Sequence, residues 1–402
     1  MREGKNMRKL LRSKRRGAAI PLAVIAVMIL LAMGVGLLSL GANSRIYSIR
    51  TASDIAARCA ADAGLTMALY EMNEKLKVKP WNGSSLPEAT NESLPNCDAV
   101  FSYTVTGNPG SGYTVESIGT SSQAQRKVIC TLEPQGPFEF AVFADEGAEL
   151  KNSAVVDWFN FDADDEVLSV GTNSVASSAL VFRNSSTVNG DVVVGVGGNP
   201  TIVIDDFGAT ITGDTHALRE ENPLPPIVVP EWLQSLPSSG AIQNDATVTS
   251  SAKYSSINLK NSKTLVIDGD VALYVMDEII LGNSAELQIE NDASLILYLG
   301  GNLEGKNSST INNLTEDARK LQMYCLDSCE DMRFKNSTDF YGAIYAPNAN
   351  VIMDNSAAIY GSVIAKTFEQ RNSGTFNYDA SLRDASVNDE AVRFVVTNWH
   401  EQ

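Results

Sequence analysis

The 402-residue chain reads as mainly β: a β-helix (solenoid) head preceded by a long N-terminal α-helix and a small antiparallel sheet. Three observations predict this. Residues 17–44 carry no charge, and a helical pattern continues beyond them to about residue 77. Three short alternating runs lie between residues 97 and 133. Between residues 138 and 382 the dipeptide Asn-Ser occurs nine times among alternating apolar runs, at steps of 17 to 29 apart from one gap of 77 and one step of 11, and such internal recurrence marks stacked, irregular repeats. The order predicted is a basic leader 1–17, helix 18–77, small sheet 97–133, β-helix-like domain 138–382 and a cap or tail 383–402.

Charge is unevenly placed. Residues 1–16 hold eight basic side chains and one acid, Glu3, so the head is +7 while the whole chain is −17. The remaining body, at −24, argues against nucleic acid as a partner, which needs a basic footprint. With only His216 and His400, a histidine-rich metal site or a Ser-His-Asp triad has few candidates. No cofactor is expected.

The uncharged stretch Gly17–Ser44 is mostly aliphatic, and about 20 such residues span a bilayer as a helix. Lys and Arg beside a span stay in the cytoplasm, which places the body outside it, single-pass from the cytoplasmic membrane. Three readings compete: a secretory signal peptide, a plain anchor, and a leader removed after Gly17. Leu40 stands where a signal-peptidase site wants a small residue. The helical pattern runs on through Ile49, Ala52, Ala56, Cys59, Ala63, Met67 and Tyr70 at steps of three and four, an apolar or small stripe on one face. Pro80 and Gly83 end it. From residue 18 to 77 the rod is about 90 Å long, far more than a bilayer needs, so its outer half must pack on its own domain or on neighbours. Pro21 suits a helix that begins just after Gly17, because amides in a first turn have no helical partner.

Residues Arg15–Ile20, the apolar stretch and Ala60-Ala61-Asp62-Ala63-Gly64-Leu65 resemble the N-terminal domain of minor pilins of type IV pilus assembly and of minor pseudopilins of type II secretion. The resemblance implies a prepilin peptidase that cuts between Gly17 and Ala18. It also implies assembly machinery and other pilin-like subunits as partners. Most pilins carry Glu at the fifth mature position, where this chain has Leu22. A buried Glu needs a partner charge, commonly a neighbour's amino terminus, and Leu22 cannot make that registering contact.

Residues 79–96, rich in Pro, Asn and Ser, read as a linker. Val100–Thr106, Tyr113–Ile118 and Lys127–Leu132 alternate, with Asn108-Pro109-Gly110-Ser111-Gly112 between the first two: a β-meander that needs a helix over one face. An extracytoplasmic body permits disulfides. Cys97 and Cys130 bracket the meander, and Cys325 and Cys329 could close a local loop. Cys59, on the helix stripe, reads as a buried thiol.

The repeat is clearest where Phe340–Ala346 is followed 19 residues later by Ile359–Ala365. No single run can bury its own apolar face, but stacked coils can, each strand pairing with its equivalent. Asn tolerates left-handed backbone and its amide can ladder between coils. A β-sandwich is the alternative, but it leaves the 19-residue copy unexplained. The Pro-rich stretch 219–240 interrupts the repeat as an extended excursion. The tail, with Val392–Val396 and Trp399, reads as a cap or a return to the first coil. Val188–Gly195, Tyr341–Ala349 and Tyr378–Leu382 look like an uncharacterised bacterial domain that commonly follows a pilin-like N-terminus and brings no established activity.

The function expected is structural, a minor pilin-like subunit. Two alternatives stand: a surface adhesin whose solenoid binds a glycan or protein, and a carbohydrate-active β-helix enzyme. For the enzyme the candidates are carboxylates. Asp162, Asp164, Asp165 and Glu166 do not match an EF-hand loop, and Asp205-Asp206 and Asp268-Gly269-Asp270 read as turn chemistry.

Overall fold

The computed structural model describes residues 19–151, 153–160, 167–183, 185–335, 338–354, 358–371 and 374–401. The chain divides into two units: residues 1–72, 84–132 and 396–402, and residues 73–83 and 133–395.

In the first unit one unbroken helix, Ala19–Leu76, runs 58 residues, about 87 Å at 1.5 Å per residue. Pro21 is the third residue of the described helix. The sheet has five strands in the order Glu88–Ser93, Val100–Asn108, Gly112–Ser121, Ala124–Gln135 and Arg393–Glu401. The three expected strands are its centre, paired antiparallel in unbroken register from Val100–Thr120 to Asn108–Gly112 and from Tyr113–Leu132 to Ser121–Ala124. Two edge strands were not foreseen. Glu88–Ser93 lies within the expected linker, polar and outside any hydrophobic pattern. The tail supplies the other edge, as a strand of this sheet rather than a cap on the solenoid.

The second unit is a parallel β-solenoid with three faces. Successive coils pair in register. The predicted copy is seen directly: Tyr341, Gly342, Ala343, Ile344, Tyr345 and Ala346 lie beside Tyr360, Gly361, Ser362, Val363, Ile364 and Ala365. Inward-facing residues form a continuous core, among them Leu273, Leu297, Met323, Ile344, Val363 and Val142.

The stacking order departs from chain order. The first strand, Val142–Leu150, does not end the stack; it pairs with Ile359–Gln370 from the last coils, Val363 beside Val142 and Phe368 beside Ala148. From this seam the chain builds coils in one direction as far as Thr215–Ala217. It then crosses to the far end, resumes at Ala241–Ile242 and builds back to the seam. The Pro-rich excursion is that crossing. On one outer face lies a ladder of tyrosines in successive coils, Tyr274, Tyr298, Tyr324 and Tyr345, with Tyr298 and Tyr324 stacked at 5.9 Å. Ile227, Val229 and Leu233 of the excursion are buried in the same cluster as three of these rings, Tyr298, Tyr324 and Tyr345. The Tyr345 hydroxyl donates to the Pro225 carbonyl at 2.8 Å. Proline suits this crossing because it needs no ladder partner for an amide it lacks.

At the corners the left-handed residue is the serine of Asn-Ser, not the asparagine expected. Ser153, Ser185, Ser262, Ser284 and Ser308 have φ between 54° and 62°. The ladder is mostly backbone. Ser262 N–H donates to the Asn283 carbonyl (2.9 Å) and Ser284 N–H to the Asn307 carbonyl (3.0 Å). The Asn261 side-chain oxygen accepts the Asn283 N–H at 2.9 Å. Asn152, Asn184, Asn336, Asn355 and Asn372 lie outside the described residues.

Candidate membrane and assembly surface

The first half of the helix is bare. Ile20 is 79% exposed, Leu22 70% and Leu38 76%, and the helix is long and apolar enough to cross a membrane. Twelve Leu, Ile and Val residues lie between Ile20 and Leu40. At roughly 0.3–0.6 kcal/mol each they favour insertion by about 5 kcal/mol. The basic leader, and the Gly17–Ala18 bond expected to be cut, lie outside the described residues.

In its second half the helix turns a face of very small residues to the sheet. Ala57, Ala60, Ala61 and Ala68 are fully buried, with Met72 beyond them. Close approach explains the choice. A Cβ on Gly119 would lie 2.0 Å from the Ala57 carbonyl oxygen, and one on Gly64 would lie 2.3 Å from Ser117 Oγ. Ser117 Oγ donates to the Ala61 carbonyl at 2.7 Å, fully buried. Arg126 grips Asp54 with two bonds of 2.7 and 2.8 Å, and this pairing holds the Asp54 carboxyl below its usual range.

The stripe expected to be covered is therefore not the one that is. Ile49, Met67 and Tyr70 remain 56%, 44% and 58% exposed, and Ala52 is exposed with them. Cys59 is an exposed thiol, which corrects its assignment to a buried face. The sheet accepts only Ala and Gly at this separation, so the larger side chains turn outward. The signal was present in Ala60-Ala61-Asp62-Ala63-Gly64, where small residues alternate with one charge.

All five cysteines are thiols in the structure. Cys97 is exposed and its thiol faces the Leu94 carbonyl at 3.8 Å. Cys130 is buried, pairs across the sheet with Val115 and has its thiol pushed up to about 11 by burial. These two are not joined. Cys325 and Cys329 are both buried in the solenoid core, and the Cys325 thiol donates to Met332 Sδ at 3.1 Å.

On the second outer face of the solenoid an ion ladder crosses the seam. Lys151 pairs with Glu369 and with Glu149 (3.0 Å), Arg183 with Glu149 (2.6 Å), and Arg371 with Glu369 (2.7 Å). Arg333 and Arg371 reach Asp354 at 2.6 and 3.6 Å. The Arg371 hydrogen bond lowers the Glu369 carboxyl most, burial opposes it, and the Lys151 hydrogen bond adds a further lowering.

A cavity of about 190 Å³ is lined by Phe138, Gln322, Tyr324, Arg319, Ser381 and Glu390. Tyr324 donates to Gln322 at 3.0 Å within the lining, while Glu390 accepts from Tyr298 at 2.9 Å and Arg319 pairs with Asp317 at 2.9 Å, both partners lying outside it. Burial raises the Glu390 carboxyl. Among the described residues no group of three or more His, Cys, Asp or Glu is placed to hold a metal. Asp162, Asp164, Asp165 and Glu166 lie outside them. Asp206 Oδ1 accepts the Ala209 N–H at 2.7 Å and Gly269 has a φ of +143°, both turn roles. His216 sits on the strand Thr215–Ala217 beside Val193.

Residues 228–385 match a family described as "Domain of unknown function (DUF7305)". The match includes Tyr341–Ala349 and Tyr378–Leu382 but not Val188–Gly195. No curated protein sequence matches the chain. Among solved structures, the competence-associated pilin ComZ from Thermus thermophilus is similar at 13% identity, over 87% of this chain and 97% of that one, with a TM-score of 0.31. The ice-binding protein_1 DUF3494 domain of Shewanella frigidimarina is similar at 15% identity, over 60% of this chain and 94% of its own, with a TM-score of 0.34. An ice-binding protein from an Antarctic Flavobacteriaceae bacterium has 9% identity, 60% and 96% coverage and a TM-score of 0.15. At these scores the likenesses are remote.

Proposed function

We propose that the chain is a membrane-anchored, minor pilin-like structural subunit for a type IV pilus or a related secretion filament, with its β-helical head outside the cytoplasm. The observation that carries this reading is the division of labour along one unbroken helix. Its first half, from Ala19, is bare and apolar. Its second half gives a face of Ala and Gly to its own sheet and leaves Ile49, Ala52, Met67 and Tyr70 uncovered. A plain anchor has no use for a second, unburied apolar stripe beyond the bilayer, whereas a subunit that packs beside other helices does. Contiguous exposed apolar surface is the usual sign of an interaction site.

In this reading the +7 leader holds the N-terminus in the cytoplasm. A prepilin peptidase cuts between Gly17 and Ala18, and the released helix moves from the bilayer into a bundle with other pilin-like subunits. Leu22 brings no charge to that bundle, which suits a subunit present in few copies rather than the repeating one. The test is Gly17→Leu in the full chain, with the protein followed in membranes and in filaments sheared from cells. Retention of the leader and loss from the sheared fraction is the expected result. Unchanged processing and unchanged filament content would remove the basis of the proposal.

A further inference from the structure

The corner that carries Cys325 and Cys329 differs from its neighbours. In the two preceding coils the step between inward-facing residues across this corner is short. Val275 and Leu299 stack beneath Cys325, and Ile279 and Leu303 stack beneath Met332. Those coils pass from Val275 to Ile279 and from Leu299 to Leu303, whereas this one passes from Cys325 to Met332. Three residues are therefore inserted. The inserted turn is held at its edges: Cys329 N–H donates to the Leu326 carbonyl (2.9 Å), and Glu330 and Asp331 N–H both donate to Asn302 Oδ1 (2.9 and 3.0 Å). Its outer side brings Asp327, Glu330 and Asp331 together with Asn348, Asn350 and Lys366 around a groove of about 520 Å³. Its inner side drops one side chain, Cys329, fully buried, back into the core cluster that also holds Cys325, in an inward position that the two preceding coils lack.

We infer that Cys325 and Cys329 form a disulfide that closes the base of this inserted turn and fixes the acidic groove it presents. The two thiols are buried in one core cluster, four residues apart across a turn closed by the Cys329 N–H to Leu326 carbonyl bond, and the Cys325 thiol now rests on Met332 Sδ. In the reaction a sulfur–sulfur bond forms between them. Two protons leave, and two electrons pass to a small-molecule or protein disulfide, which is reduced to two thiols. The neighbouring Cys329 side chain, and then burial, push the Cys325 thiol up, so the bridge forms while the coil is still open and is protected once it closes. Cys59, Cys97 and Cys130 are left out: Cys59 and Cys97 are exposed thiols, and Cys130 lies inside the small sheet.

The geometry applies wherever a disulfide oxidant is present; its formation in the cell rests on the extracytoplasmic placement proposed above. The full chain in detergent is denatured, refolded in a glutathione redox buffer, alkylated under denaturing conditions and digested after Lys and Arg. Both cysteines then fall in one peptide, residues 321–333. The expected result is that this peptide is two hydrogens lighter and unalkylated, that Cys59, Cys97 and Cys130 are alkylated, and that the bridged protein melts no lower than the reduced one. In Cys325→Ser, Cys329 should become alkylated. Two alkyl groups on the peptide of the refolded wild-type chain, or a bridged form that melts lower, overturns the inference. The same alkylation on chain taken directly from cells separates the two claims. A bridge formed in the buffer but absent from the cellular chain upholds the bridge and counts against the placement.

Discussion

Replacing Gly119 by alanine should loosen the helix from its sheet. The added Cβ would sit 2.0 Å from the Ala57 carbonyl oxygen, 2.4 Å from the Ala61 nitrogen and 3.0 Å from the Ala60 carbonyl carbon. All three atoms are helix backbone, so no side chain can rotate away and the helix itself must lift. Overpacking of this kind costs about 1–3 kcal/mol. Lifting also stretches the buried bond from Ser117 Oγ to the Ala61 carbonyl, worth about 1 kcal/mol more. The total, about 2–4 kcal/mol, corresponds to a fall of roughly 30- to 1,000-fold in hydrogen-exchange protection, at tenfold per 1.4 kcal/mol. The readout is exchange at amides 57–68 in the detergent-solubilised chain, with Gly110→Ala as the control. A Cβ there meets nothing closer than Asn108 Oδ1 at 3.4 Å. If Gly119→Ala leaves those amides as protected as the control does, the close-approach explanation for the Ala and Gly face is wrong.

Three further outcomes follow from the solenoid. Ser284 is exposed and left-handed, so Ser284→Gly should be neutral or stabilising by up to about 1 kcal/mol. Ser284→Val should destabilise by about 1–3 kcal/mol; thermal melts that rank Val above Gly would contradict the corner assignment. Lys151→Ala should cost about 1 kcal/mol, because the seam ladder is only partly buried. Glu369 has its folded pKa below its ordinary 4.5, so its contribution is present above that value and fades as pH falls through the folded pKa. The wild-type advantage over Lys151→Ala should therefore shrink on acidification, and an advantage that grows instead would refute the ladder's role. Glu390 is the opposite case. Burial raises its folded pKa, so it favours the fold below the ordinary 4.5 and that benefit is lost as pH rises. Glu390→Gln should raise the melting temperature at neutral pH, with the gain vanishing in acid; equal gains at both would show that charge is not the cause.

Much of this architecture was written locally. Phe340–Ala346 and Ile359–Ala365 are copies because they occupy one position in adjacent coils, and hydrogen bonding in register demands like residues. The end of the helix was legible because Pro80 follows it closely. The seam was not. Val142–Leu150 pairs with a strand more than two hundred residues away, and nothing in either strand's alternation tells which end of a stack it meets. The helix face was misjudged because apolar size was taken as the signal, while Gly119 and Gly64 make small volume the requirement. The tail strand Arg393–Glu401 read as a cap because its partner sheet lies far back in the sequence. The inserted corner showed only as Cys-x-x-x-Cys, and its meaning came from the shorter corners beside it.

In the proposed subunit, cleavage after Gly17 releases the apolar helix as the mature N-terminus. The mature chain's intact mass and N-terminal sequence, measured on protein extracted from membranes and filaments, test it most directly. The expected chain starts at Ala18 with its whole apolar segment retained. A chain that still carries residues 1–17, or one cut beyond Ser44 so that the apolar segment is gone, would contradict it.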